Sequence, residues 1–166
     1  KLSLAGIVER FDNKSEEDKN KATMVYSLSA TYDFEVAKAF FGYQYANRFH
    51  SLDQLEDVWV SGKGMNQNAF TLGAEVPAAG GTFKVAANYG FGKVKSADGV
   101  VVDDTKLSND KFNRFTVGAA YEYPLSKRTF VYGWGAYATA GKMFKEKAVE
   151  ENFKSWSLGL GLHHTF

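Results

Sequence analysis

An all-β chain whose antiparallel strands cross a membrane is the fold class this sequence predicts, on three observations. Apolar and polar residues alternate with period 2 in eight segments, each about ten residues long against ~5–6 for an ordinary strand. Connections alternate between short and long, so every tight turn falls at one end and every long stretch (residues 10–22, 47–65, 93–111 and 139–153) at the other. Most of the charge, of both signs, sits in those long stretches. Long strands with short turns at one end and long loops at the other are the pattern of an antiparallel transmembrane β-barrel.

The elements follow in order. "LSLAGIVE" alternates, with Glu9 on its polar side. "ATMVYSLSATYDF" places Met24, Tyr26, Leu28, Ala30 and Tyr32 opposite Ser27, Ser29, Thr31 and Asp33. "AKAFFGYQYA" sets Ala39, Phe41, Tyr43 and Tyr45 against Lys38, Gly42 and Gln44. "NAFTLGAEV" sets Phe70, Leu72 and Ala74 against Thr71 and Glu75. "TFKVAANYGF" sets Phe83, Val85, Ala87 and Tyr89 against Lys84 and Asn88, and "RFTVGAAYEY" sets Phe115, Val117, Ala119 and Tyr121 against Arg114, Thr116 and Glu122. "RTFVYGWGAYA" fits either parity; the reading adopted puts Phe130, Tyr132 and Trp134 on the apolar side. "WSLGLGLHHTF" closes the chain with Leu158, Leu160 and Leu162 on one face.

Two hairpins check the register. A turn at 34–37 places Asp33 opposite Lys38 and Leu28 opposite Tyr43. A turn centred between Ala79 and Gly80 places Glu75 opposite Lys84, Thr71 opposite Asn88 and Leu72 opposite Ala87. A one-residue slip would send both acid–base pairs to the apolar face.

A soluble sandwich also alternates, but strand length and the asymmetry of the two ends count against it. The chain of 166 residues is one domain in size, and its net charge of +1 gives nucleic acid no electrostatic handle. Cys 0 excludes disulfides and thiolate metal sites. No apolar run approaches the ~20 residues of a membrane helix. The absence of a signal peptide or initiator Met marks the chain as processed or as a piece of something longer.

With the strands placed, "YEYPLSKRTFVYGWGAYA" and the closing "WSLGLGLHHTF" resemble the C-terminal end of Gram-negative general porins. That family carries a penultimate turn of the Leu125-Ser126-Lys127-Arg128-Thr129 kind and ends on a motif like Gly161-Leu162-His163-His164-Thr165-Phe166. The resemblance implies a trimeric, 16-stranded outer-membrane barrel of which this chain is strands nine to sixteen. It further implies that Leu158, Leu160, Leu162 and Phe166 are read by the outer-membrane assembly machinery, and that lipid and lipopolysaccharide surround the barrel. The constriction loop of the family and its facing arginines would lie in the other half.

On this reading the polar face lines a water-filled channel for passive diffusion of small hydrophilic solutes and ions. The pore-lining candidates are Lys38, Gln44, Glu75, Lys84, Asn88, Arg114 and Glu122. Small inward residues such as Ser29, Gly42, Ala86 and Gly159 leave the room a channel needs. An autonomous eight-stranded barrel, used as an adhesin or anchor, stays open as the alternative.

No catalytic or cofactor constellation emerges, and the expectation is a protein that is not an enzyme. His163 and His164 are adjacent on a strand and point to opposite sides, so they cannot chelate one metal. His50 reads as a solvated loop residue. "YGFGKVKS" has Ala87 where a phosphate loop needs its first glycine. "DGVVVDD" lacks the spacing and closing Glu of an EF-hand.

Overall fold

The computed structural model describes residues 1–12, 22–50, 60, 63–96, 99–102, 105–108, 110–146 and 153–166. Each alternating segment forms one long strand: β1 (Leu2–Phe11), β2 (Thr23–Asp33), β3 (Lys38–Phe49), β4 (Met65–Ala78) and β5 (Gly81–Val94). A two-residue hairpin, β6 (Val101–Val102) with β7 (Thr105–Lys106), stands in the next connection. The long strands resume with β8 (Lys111–Ser126), β9 (Thr129–Lys142) and β10 (Lys154–His164), β9 being followed by a single 3₁₀ turn at Met143–Lys145.

The eight long strands make one antiparallel sheet in the order β1-β2-β3-β4-β5-β8-β9-β10. A sandwich would divide them between two packed layers. The sheet is open: among the described residues β1 and β10 make no contact, and each has one unpaired edge.

Both hairpin registers stand as the sequence predicts. Asp33 pairs with Lys38 and Leu28 with Tyr43, while Glu75 pairs with Lys84, Thr71 with Asn88 and Leu72 with Ala87. The second turn has Ala79 at φ 48° and Gly80 at φ 80°. Two successive positive φ values match the twist of the flanking strands, and alanine tolerates that conformation less well than glycine.

The parity adopted for β9 is corrected. Tyr123 pairs with Val131, Tyr121 with Gly133 and Val117 with Tyr137, so these β9 residues share the apolar face. Phe130, Tyr132 and Trp134 pair with Pro124, Glu122 and Ala120 and lie on the polar face. The cause is a one-residue bulge. Ser126 pairs with Thr129, but the next pair is Pro124 with Phe130, and Leu125 is passed over. One extra residue in one strand exchanges the faces of everything beyond it.

No described residue covers the apolar face: Leu72 is 61% and Leu160 93% exposed. The buried apolar core gathers instead at the long-connection end.

Candidate functional site

The polar face forms a wall whose side chains are ordered in rows by strand register. Near the short turns a charged row runs Asp33, Lys38, Glu75 and Lys84 on β2 to β5, alternating in sign. Glu122 on β8, one row nearer the turns, reaches it diagonally: Lys84 Nζ lies 2.8 Å from Glu122 Oε2 and 3.8 Å from Glu75 Oε1. All three side chains are about one-third exposed, so solvent screens the triad and its geometry matters more than its net energy.

Two rows further along, uncharged residues dominate. Asn88 Nδ2 donates to Thr71 Oγ1 at 2.8 Å, and Thr116 continues the row on β8. Gln44 Nε2 donates to Ser27 Oγ at 3.2 Å one row beyond. Arg114 stands in that same row, between Gly90 and Ala140. No carboxylate among the described residues is in ion-pair distance of it. All seven residues singled out in the sequence thus share one face, but ion pairs join only Glu75, Lys84 and Glu122.

Between the charged row and the Thr71–Asn88 row the wall is recessed. Gly73, Ala86, Gly118 and Ala136 are successive partners across β4, β5, β8 and β9 and floor a hollow of about 590 Å³. Phe40 and Trp134 stand at its two sides, and Glu75 and Lys84 at its rim. Trp134 lies over Gly159 and Tyr132 over Gly161, where a Cβ would collide with either ring. Phe130 stacks on His163 with centroids 4.8 Å apart. These aromatics are the wall feature that sequence reasoning missed. Pro124 beside the turn was the available hint, since proline cannot donate to a ladder and is found at bulges.

At the long-connection end the same face is covered. Met65, Val94, Phe112 and Ala140 project from the ends of β4, β5, β8 and β9, and Val60, Val100, Leu107, Met143 and Phe144 pack onto them from the connections. Phe112 meets Phe49 and Phe144 edge-on, both at 6.1 Å, and its ring fills the space over Gly92. His50 belongs to this cap and not to a solvated loop. It is 3% exposed, with Nδ1 2.6 Å from the Val60 carbonyl oxygen, so Nδ1 carries the proton. At the end of β5, Lys93 lies 2.9 Å from Asp110, which stands just before β8, and holds that carboxyl below its usual range, chiefly by hydrogen bonding.

His163 and His164 point to opposite faces, as alternation requires. His164 Nδ1 lies 2.8 Å from Thr129 Oγ1 and its ring meets Phe166 edge-on at 4.8 Å. By parity Phe166 falls on the apolar side with Leu158, Leu160 and Leu162, and it is fully exposed. Gly92 of the "YGFGKVKS" segment is an interior residue of β5. Asp98, Asp103 and Asp104 of "DGVVVDD" lie outside the described residues. Among the described residues no three His, Asp or Glu side chains gather as a metal site would need.

Comparison with known proteins decides what such a wall belongs to. The family model described as Gram-negative porin matches residues 1–142. The chain belongs to the Gram-negative porins. An outer membrane porin protein of Bordetella pertussis is 30% identical to it over 172 residues, covering 93% of this chain and 40% of that relative. The porin's location is therefore the outer membrane, a lipid environment. Membership points to a channel rather than to an enzyme.

Proposed function

We propose that the porin segment forms one half of a water-filled channel through which small hydrophilic solutes and ions diffuse passively. The observation that carries this reading is the segregation of the two faces. From Leu28 to Leu72 to Phe115 the middle of one face is apolar and uncovered by the described residues, whereas the other bears Lys38, Glu75, Lys84, Arg114 and Glu122. One face suits lipid and the other water. Two unpaired edges, and a span of only 40% of the Bordetella relative, support a larger barrel, with this chain as strands nine to sixteen of 16. The long connections then face outward and the short turns face the periplasm. The cap narrows the outer mouth. Lys38, Gln44, Glu75, Lys84, Asn88, Arg114 and Glu122 line the pore, a trimer embedded in lipopolysaccharide is the assembled form, and Leu158, Leu160, Leu162 and Phe166 form the signal for the assembly machinery.

Purified porin in a planar bilayer should give stepwise conductance in potassium chloride. Absence of steps from folded protein would overturn the channel. Deleting Phe166 should lower the amount in the outer membrane while leaving refolding into detergent intact; loss of refolding as well would make Phe166 a structural residue only.

A further inference from the structure

Resting on the channel reading, the hollow beside the charged row deepens it, and we infer that it is a binding subsite for a neutral, ring-shaped polyhydroxylated solute, a pyranose sugar. Its volume of about 590 Å³ falls within the ~300–1,000 Å³ of small-molecule sites. Its floor of Gly73, Ala86, Gly118 and Ala136 leaves the backbone open to close approach. Trp134 forms one side, steadied where it lies over Gly159, and is 40% exposed. A flat aromatic face takes the C–H face of a sugar ring by dispersion and by its quadrupole.

The rim decides the chemical class. Lys84 supplies donors and Glu75 acceptors at the rim, and Glu122, outside the hollow, completes the ion-paired triad by holding Lys84. At the opposite rim Asn88 and Thr71 offer both kinds of group. An anion meets a carboxylate at either end of the triad, and a cation meets Lys84 at its centre. A ring of hydroxyls, each both donor and acceptor, uses all of these groups at once. Lys84 and Trp134 are separated across the sheet by Ala120 alone, roughly 10 Å at ~4.8 Å per strand, which is the span of one to two sugar rings.

The test is current blockade of the whole porin in a planar bilayer by maltotriose, with polyethylene glycol of equal hydrodynamic size as the control. Maltotriose should interrupt the current at concentrations where the glycol does not. Trp134→Ala should weaken that blockade by about tenfold, the worth of one good ring contact. Ala120→Leu, which keeps the tryptophan and fills the gap between it and Lys84, should weaken it too and serves if Trp134→Ala does not fold. Equal effects of sugar and glycol, or blockade unchanged in the folded variant, would overturn the subsite while conductance upholds the channel. No conductance from folded wild type would overturn both.

Discussion

The two ends of the polar wall are built from the same strands and end in opposite ways. At the long-connection end the inward residues are Met65, Val94 and Phe112, and chain folds back over them until Met65 and Met143 are fully buried. At the short-turn end the inward residues are Asp33, Lys38, Glu75, Lys84 and Glu122, and nothing described covers them. Alternation alone therefore does not say whether an inward residue meets water. The length of the adjoining connection decides it, because a turn of two residues has no side chains to spare for a lid.

Phe112→Ala should have the largest effect, removing about 3–5 kcal/mol from the cap by opening a cavity under Phe144. The measurements are faster proteolysis between β5 and β8 and a larger conductance. Phe34→Ala in the first short turn, 56% exposed, is the matched control and should cost under ~1 kcal/mol. Equal losses at the two ends would break the contrast.

Between the ends, Leu72→Arg puts a cation on the lipid face and should cost ~2–4 kcal/mol in detergent refolding. Thr71→Arg, its neighbour on the opposite face, should fold and change ion selectivity. Equal tolerance of the two would mean that the faces are exchanged.

At the short-turn end, Glu122→Gln removes the closer partner of Lys84, at 2.8 Å, in a solvent-screened triad. Stability should change by no more than ~1 kcal/mol. Reversal potentials should move toward anions, and an unchanged potential would place Glu122 away from the ion path. Smallest of all, Ala79→Gly should raise refolding stability by up to about 1 kcal/mol, since it relieves the left-handed φ of 48° in a two-residue turn. A loss would show that the alanine methyl does more for the turn than its backbone conformation costs.

Legibility in the sequence divides along similar lines. The strands and two hairpin registers could be read because period 2 repeats and acid–base pairs such as Glu75 and Lys84 permit only one alignment. The parity of β9 could not, because a single bulged Leu125 leaves both faces of "RTFVYGWGAYA" chemically plausible. The common face of the seven wall residues followed from alternation; the hollow among them did not, since it depends on where Trp134 points. The cap was hidden by composition. Its apolar members, Val60, Val100, Leu107 and Phe144, are scattered among charged residues, and only tertiary packing gathers them with Phe112.

Every pairing in the main sheet joins strands that are neighbours along the chain, with only the small β6–β7 hairpin interposed between β5 and β8. Order of synthesis is thus also order of adjacency, and no strand must search past another for its mate. Loop-closure entropy rises only slowly with length, so even the connection from β5 to β8 adds little to the barrier. The sheet can zip from one hairpin to the next, each new strand templated by the last free edge. On the 16-strand reading β1 continues that order by pairing with the strand that precedes it, and the costly event is the joining of β10 to the first strand, the one step for which proximity in sequence gives no help.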